Sequence, residues 1–256
     1  VNRLLDRLWR WVDALVTAVT TSYDWVQSTV TERLRETLRV GLGQPLTDEQ
    51  YRRTLNTAVG QYQSWLRRLV RTLNTRTPNT VREAFATLRA DFDITFPRKV
   101  EQELINLITA THTRIVDNHL EVRRLIRRVL ATNPQTPAER QAAVDRILRQ
   151  AEREGYDLYT VDSRGRRIPL NVWARRAVDG HAANVALSAY QRAMQASGLD
   201  LVRVSSHDGT CSKCAPWQGR VLSLNGTTDG YPTLAQARAG GLFHISCRHG
   251  LVPTTP

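Results

Sequence analysis

Three cysteines stand in the chain, Cys211, Cys214 and Cys247, all beyond residue 200. Cys211 and Cys214 form a C-x2-C pair, and His244 with Cys247 repeats that separation as H-x2-C. Two such pairs on separate turns can bring four nitrogen and sulfur ligands to one tetrahedral ion, the geometry of a closed structural zinc site. His249 could stand in for His244 as the fourth ligand. His244 is favoured because its spacing to Cys247 repeats that of the first pair. His207 and Asp208, just upstream, could orient a ligand from outside the coordination sphere, although polar loop residues are also commonly only solvated. The other readings are three buried thiols, or one disulfide with a thiol left over. An odd cysteine count, the matching H-x2-C pair and the absence of a secretory leader pattern weigh for metal. The stretch from about residue 200 to 252 is too short to bury much core, so a bound zinc would supply folding energy that packing cannot.

Catalytic patterns are scarce. A zinc deaminase needs H-x-E ahead of its P-C-x-x-C, and no such histidine precedes Cys211. The H-E-x-x-H helix, the G-x-S-x-G elbow and a phosphate loop are also missing. Four protein ligands would close a zinc ion to substrate. The enzymatic rival is a small metal-dependent nuclease using His207, Asp208 or His249 beside a structural zinc, but no paired acidic site accompanies these histidines.

The elements that must position these residues are mostly helical. Residues 2–39 read as one long helix or two in tandem, with Leu5, Leu8, Val12, Leu15 and Val19 in one stripe and Trp9, Trp11 and Trp25 beside it. Such a stripe packs on its own chain or docks on a partner or membrane surface. Thr47 to Gln50 form a capping box that opens a helix carrying Tyr51, Leu55, Val59, Tyr62, Leu66 and Val70. Asn74 to Asn79, with Pro78, predict a loop, followed by a helix over about 80–90 and a linker closed by Pro97. A long amphipathic helix spans 98–132, with His112 and His119 as ordinary helix residues. Thr136-Pro137-Ala138-Glu139 opens the next, ended by Gly155. A hairpin over 156–168, turned at Ser163-Arg164-Gly165, leads to a helix ending near Ser197 that carries Arg175, Arg176 and His181 as solvated residues. Strands at 201–204 and 220–224 and a short helix at 234–239 then frame the cysteine pairs.

The fold class is therefore mainly α: an elongated helical N-terminal domain, residues 1–155, followed by a small α+β module, residues 156–256, with a zinc knuckle at about 200–252. At 256 residues the chain accommodates this division. Its formal charge is +12, and arginine supplies almost all the cations, since Lys99 and Lys213 are the only lysines. Arginine forks match phosphate and carboxylate, so a polyanion or an acidic protein surface fits as partner. The sharpest cluster is Arg123, Arg124, Arg127 and Arg128, whose like-charge i,i+4 pairs cost a few tenths of a kcal/mol, roughly, in an isolated helix. Solvent or Glu121 offsets that cost, or else the strip faces phosphates or carboxylates. No sequence-reading motif accompanies it, so any DNA contact is non-specific. No run of about eighteen apolar residues is present, so no transmembrane segment is expected.

The C-terminal motifs carry a resemblance. The order S-S-H-D-G-T-C-x-x-C-A-P-W-Q-G-R-V, then S-L-x-G, Y-P-x-L and G-L-F-H-x-x-C-R-H resembles the closing signature of phage minor capsid proteins. It is similar to minor capsid protein 2 and to the wider Mu F-like head morphogenesis group. Asp208, Thr210, Cys211, Cys214, Gly219, Val221, His244, Cys247 and Arg248 occupy the wider group's places. Trp217-Gln218-Gly219, Tyr231-Pro232 and the Val161–Arg167 segment point to the minor capsid branch. The resemblance covers about residues 156–252 and does not extend to the N-terminal part, which reads only as helices. The resemblance implies a non-enzymatic virion protein at the portal vertex or capsid interior, present in the host cytoplasm during assembly. It would act in several copies, assisting head assembly and DNA packaging or delivery. Its partners would be the portal protein, the major capsid protein and packaged double-stranded DNA. A second reading is a basic, non-specific DNA-binding module outside any head.

Overall fold

The structure, a computed structural model, describes residues 2–92, 97–154, 159–161, 164–244 and 247–255. Among these, the elements run α1 (Asn2–Arg39), α2 (Asp48–Phe92), α3 (Arg98–Ala131), α4 (Pro137–Glu154), β1 (Tyr159–Val161), β2 (Arg167–Pro169), α5 (Leu170–Ala196), β3 (Leu201–Val204), β4 (Val221–Ser223), α6 (Leu234–Ala239) and β5 (Leu251–Pro253). A 3-10 turn, Ala215–Trp217, follows the first cysteine pair. The protein is mainly helical, with its three-stranded sheet near the C-terminus. No helix among the described residues is long and apolar enough to cross a membrane.

Two expectations are corrected. Residues 74–79 are not a loop: α2 continues through Pro78. Leu73, Thr77, Val81, Phe85 and Leu88 keep helical spacing on either side and are all buried, so one apolar face runs unbroken past the proline. Proline's missing N–H frees only the carbonyl of Asn74, a loss that packing outweighs. Residues 2–39, left open between one helix and two, form a single helix. Strand β5 and the 3-10 turn are not legible in the sequence. The helix stop at Gly155 and the turn residue Ser163 lie outside the described residues; the hairpin strands pair antiparallel, with Thr160 opposite Ile168.

Contacts divide the chain into two compact units, Val1–Val19 with Val81–Leu104 and Arg175–Pro256, and Thr20–Thr80 with Ile105–Ala174. In the first, the Trp11 ring meets Phe85 edge-on at 5.5 Å, and its Nε1 donates to the Ala84 carbonyl at 2.8 Å. Over its length α5 is lined by buried alanines and larger apolar residues, including Val178, Leu187, Tyr190 and Met194. The sheet has the order β4-β3-β5, all antiparallel, with Val202 opposite Leu222 on one side and Pro253 on the other. Leu201, Val202 and Val204 are buried while Arg203 is exposed.

The second unit is a helical core with polar ties. Tyr62 donates to Asn118 Oδ1 at 2.5 Å, and the Tyr23 hydroxyl donates to the Ile108 carbonyl at 3.2 Å. His112 is fully buried, its Nδ1 2.5 Å from Asn74 Oδ1, and burial lowers its pKa to about 4. Arg140 is 1% exposed, lies 4.7 Å over the Tyr51 ring and donates to Asp48 Oδ1 at 3.3 Å.

Candidate metal centre

Strand β3 delivers the chain to the first cysteine pair, and the turn after α6 delivers it to the second. Ser205, just past β3, is tied to Gly250, just before β5, by Ser205 N–H to the Gly250 carbonyl at 2.9 Å and Gly250 N–H to Ser205 Oγ at 2.8 Å. The last residue of each pair then hydrogen-bonds back to the first. The Cys214 amide donates to the Cys211 carbonyl at 3.1 Å, and the Cys247 amide donates to the His244 carbonyl at 2.9 Å. The turns meet like to like: Cys211 Sγ lies 2.9 Å from His244 Nε2, and Cys214 Sγ lies 3.6 Å from Cys247 Sγ.

Two overlapping donor sets result. The ligand atoms of Cys211, Cys214 and His244 lie within 4.8 Å of one another, as do those of Cys214, Cys247 and His249. Cys214 belongs to both. All three thiols are free, and the 3.6 Å between the two buried sulfurs is far from a disulfide bond of about 2.05 Å. It is close to the edge, about 3.8 Å, of a tetrahedron with zinc–sulfur bonds of about 2.3 Å. Each triad could hold a metal ion, with Cys247 grouped with His249 rather than with Cys211 and His244.

The backbone N–H of Cys214 beside Cys211, with a smaller contribution from His244, lowers the Cys211 thiol to about 7. Burial pushes the Cys214 thiol up to about 12, and the neighbouring Cys247 and Cys211 sulfurs push in the same direction. Crowding and burial thus favour the protonated thiol at Cys214, and a cation among the sulfurs would favour the thiolate that ligates metal.

His249 is 2% exposed, with Nδ1 3.3 Å from Cys247 Sγ and Nε2 3.3 Å from Gln218 Oε1. With Nε2–H donating to Gln218, Nδ1 is left as the lone-pair atom facing the sulfur. Gln218 Oε1 also accepts the His207 amide at 2.8 Å, and the His207 ring lies 4.2 Å from that of His249. Burial first, then the charges of His207 and His244, lower the His249 pKa and favour the neutral imidazole that ligates metal. His207 and Asp208 are both exposed, and the Asp208 backbone carbonyl lies 2.9 Å from His207 Nδ1.

Residues outside the donor set hold the two turns together. Gly241 has φ +103, a conformation that disfavours any side chain, and its carbonyl lies 4.0 Å from Cys214 Sγ. Arg248, next to Cys247, donates to Asp179 Oδ1 at 2.6 Å and Asp13 Oδ1 at 3.3 Å, and lies 5.3 Å from the Trp9 ring centre. The S-L-x-G motif is a clamp around Asp200. Ser223 Oγ, Thr228 Oγ1 and the amides of Asn225 and Thr228 all donate to its carboxylate. Gln218, Asp179 and Asp200 were not singled out as functional from the sequence. Only Gln218 carried a signal, its place in the W-Q-G triplet.

The four arginines of α3 belong to the second unit and the cysteines to the first. Arg124 pairs with Glu121, Arg128 donates to Gln150 Oε1, and Arg127 Nε lies 3.5 Å from the Arg123 carbonyl. Arg123 and Arg127 are exposed, whereas Arg124 and Arg128 are half-buried.

No curated protein and no solved structure matches the chain significantly. The model of one family, phage minor capsid protein 2, matches residues 46–256. The match takes in α2, α3 and α4 as well as the motif-bearing region after residue 156. The Cys/His turns, the W-Q-G triplet and the S-L-x-G clamp all fall inside it, and on that match the chain belongs to the phage minor capsid protein 2 family and is a component of the virion.

Proposed function

We propose that the chain is a non-catalytic head subunit, taken into the assembling capsid at the portal vertex or on the inner shell. There it assists head assembly and DNA packaging or delivery. Residues 156–256 form the zinc-stapled module, and residues 1–155 supply the helical surface that meets portal protein, major capsid protein or packaged DNA. Several copies enter each head. Cys211, Cys214, His244 and Cys247 hold one structural zinc, with His249 within reach of the same sulfurs as an alternative ligand. Arg123, Arg124, Arg127 and Arg128 contact a partner or DNA.

One observation carries the zinc reading: the two turns have the same hydrogen bond and meet at corresponding positions, Cys211 on His244 and Cys214 on Cys247. A zinc ion so enclosed has no open position for substrate, which supports a structural role over turnover. Family membership supports the placement in the head.

The test is sedimentation of the chain with heads assembled in its presence, followed by disruption into portal and shell fractions. Retention with the portal or shell fraction is expected, without cleavage of added duplex DNA. A chain left in the soluble fraction, or zinc-dependent DNA cutting, overturns the proposal.

A further inference from the structure

Outside the metal centre, the first unit contains an open cleft of about 960 Å³ between the last turns of α2 and the first turns of α3. Among the described residues its walls carry Arg82, Arg89, Arg98 and Lys99, with Glu101 as the single acidic residue. Glu101 is paired with Arg89, so the pair is neutral and the cleft's excess of positive charge comes from Arg82, Arg98 and Lys99. Lys99 also has Glu103 at 3.8 Å, but both side chains are more than half exposed, a setting in which water and salt screen the pair.

The spacing suits an extended anion. Arg82, Ala86 and Arg89 fall at i, i+4 and i+7, so they share one face of α2 over roughly 10 Å of helix. Ala86 between the two arginines leaves no bulk to hold a strand off the helix. Arg98 and Lys99 stand on the opposing wall at the N-terminal end of α3, where the helix dipole adds positive potential.

We infer that this cleft binds the phosphate backbone of double-stranded DNA; the inference rests on the reading of the chain as a head component beside packaged genome. A duplex carries one negative charge per about 1.7 Å of its axis, so several phosphates fall within the reach of these four cations. An acidic protein is the less fitting occupant, because protein interfaces are anchored by buried aromatic or aliphatic side chains and Ala86 is the only apolar residue among the described residues of the lining. The groove along α3 differs in this respect. It has Arg114, Arg124 and Arg127 but also Leu120 and Val161, which are 56% and 53% exposed. The sequence drew attention to the consecutive arginines of α3, whereas the cation cleft is assembled from two helices and has no linear signature.

The experiment is fluorescence anisotropy of the full chain with a labelled 30-base-pair duplex between about 50 and 200 mM NaCl. Wild type is compared with R82Q/R98Q/K99Q and with R146Q/R149Q/R153Q, which removes equal charge from exposed positions of α4. Removing three phosphate contacts should make the slope of log K against log [salt] shallower by about 2.7 for the cleft variant, and by clearly less for the control. Equal losses in both variants would mean that net charge alone drives binding and would overturn the inference. So would an unchanged slope in the cleft variant, or polyglutamate that competes as well as duplex and loses its binding in the same variant. Absence of wild-type DNA binding also overturns it, while head incorporation separately tests the structural role.

Discussion

The indole of Trp217 lies so close to the backbone of Gly240 that a Cβ at position 240 would come within 2.6 Å of its Cζ2 atom. The contact joins the two halves of the metal centre. Trp217 closes the 3-10 turn after Cys214, and Gly240 begins the Gly-Gly turn that leads from α6 to His244. The W-Q-G triplet therefore has a physical role on each side, with Trp217 filling the space glycine leaves and Gln218 holding His249.

Gly240→Ala should strain this contact, because an added Cβ meets three atoms of the indole at 3.1 Å or less and the ring or the turn must shift. Overpacking of this kind costs about 1–3 kcal/mol. Thermal unfolding and limited proteolysis beyond residue 200 would register the loss. A variant with wild-type melting and digestion would show that the two turns are not held by Trp217.

Arg248 connects the second turn to α1 and α5 through Asp13 and Asp179. Asp179 is 9% exposed and would be left without its cation in Arg248→Ala, a change expected to cost about 1–3 kcal/mol. Arg248→Ala combined with Asp179→Asn should recover part of the loss, since the buried charge goes with its partner. Chemical denaturation of the double variant checks this. Strictly additive losses would mean that the pair is not coupled.

Asp200 provides a pH test. Burial acts to raise its pKa, but the hydrogen bonds from Thr228, the Asn225 amide and Ser223 outweigh it and bring the carboxyl to about 2. Unfolded aspartate titrates near 3.9. Since the folded value is the lower, the unfolded chain binds more protons in between, and the contribution to stability is full above about pH 4 and lost as pH falls through about 2. Asp200→Asn should destabilise the protein at pH 7, by about 1–3 kcal/mol if donors are left unpaired around buried Ser223. The gap from wild type should shrink as pH drops from 4 towards 2. A gap independent of pH over that range would contradict the clamp.

Much of this architecture was legible because local signals agreed with it. The Thr136–Glu139 box does cap α4, with Glu139 accepting the amides of Gln135 and Thr136. Strand β3 and helix α6 fall at the expected positions, 201–204 and 234–239. Pro78 misled because a local breaker was outweighed by long-range packing of Val81, Phe85 and Leu88. Strand β5 is three residues long and is defined by pairing with β3 rather than by its own pattern. At the candidate metal centre, spacing picked out Cys211, Cys214, His244 and Cys247 as candidate donors, but it could not reveal that His249 is buried against Cys247 or that Arg248 reaches back to Asp13. Those contacts join residues far apart in the chain.

Metal analysis of the purified full chain, read with proteolysis before and after chelation, tests the central claim most directly. The account predicts one zinc per chain, with chelation opening the region beyond residue 200 to protease while the helices before residue 155 stay resistant. Cys247→Ser should reproduce that pattern without a chelator. A metal-free chain whose C-terminal region is already protease-resistant would contradict the account, because packing alone would then hold the two turns together.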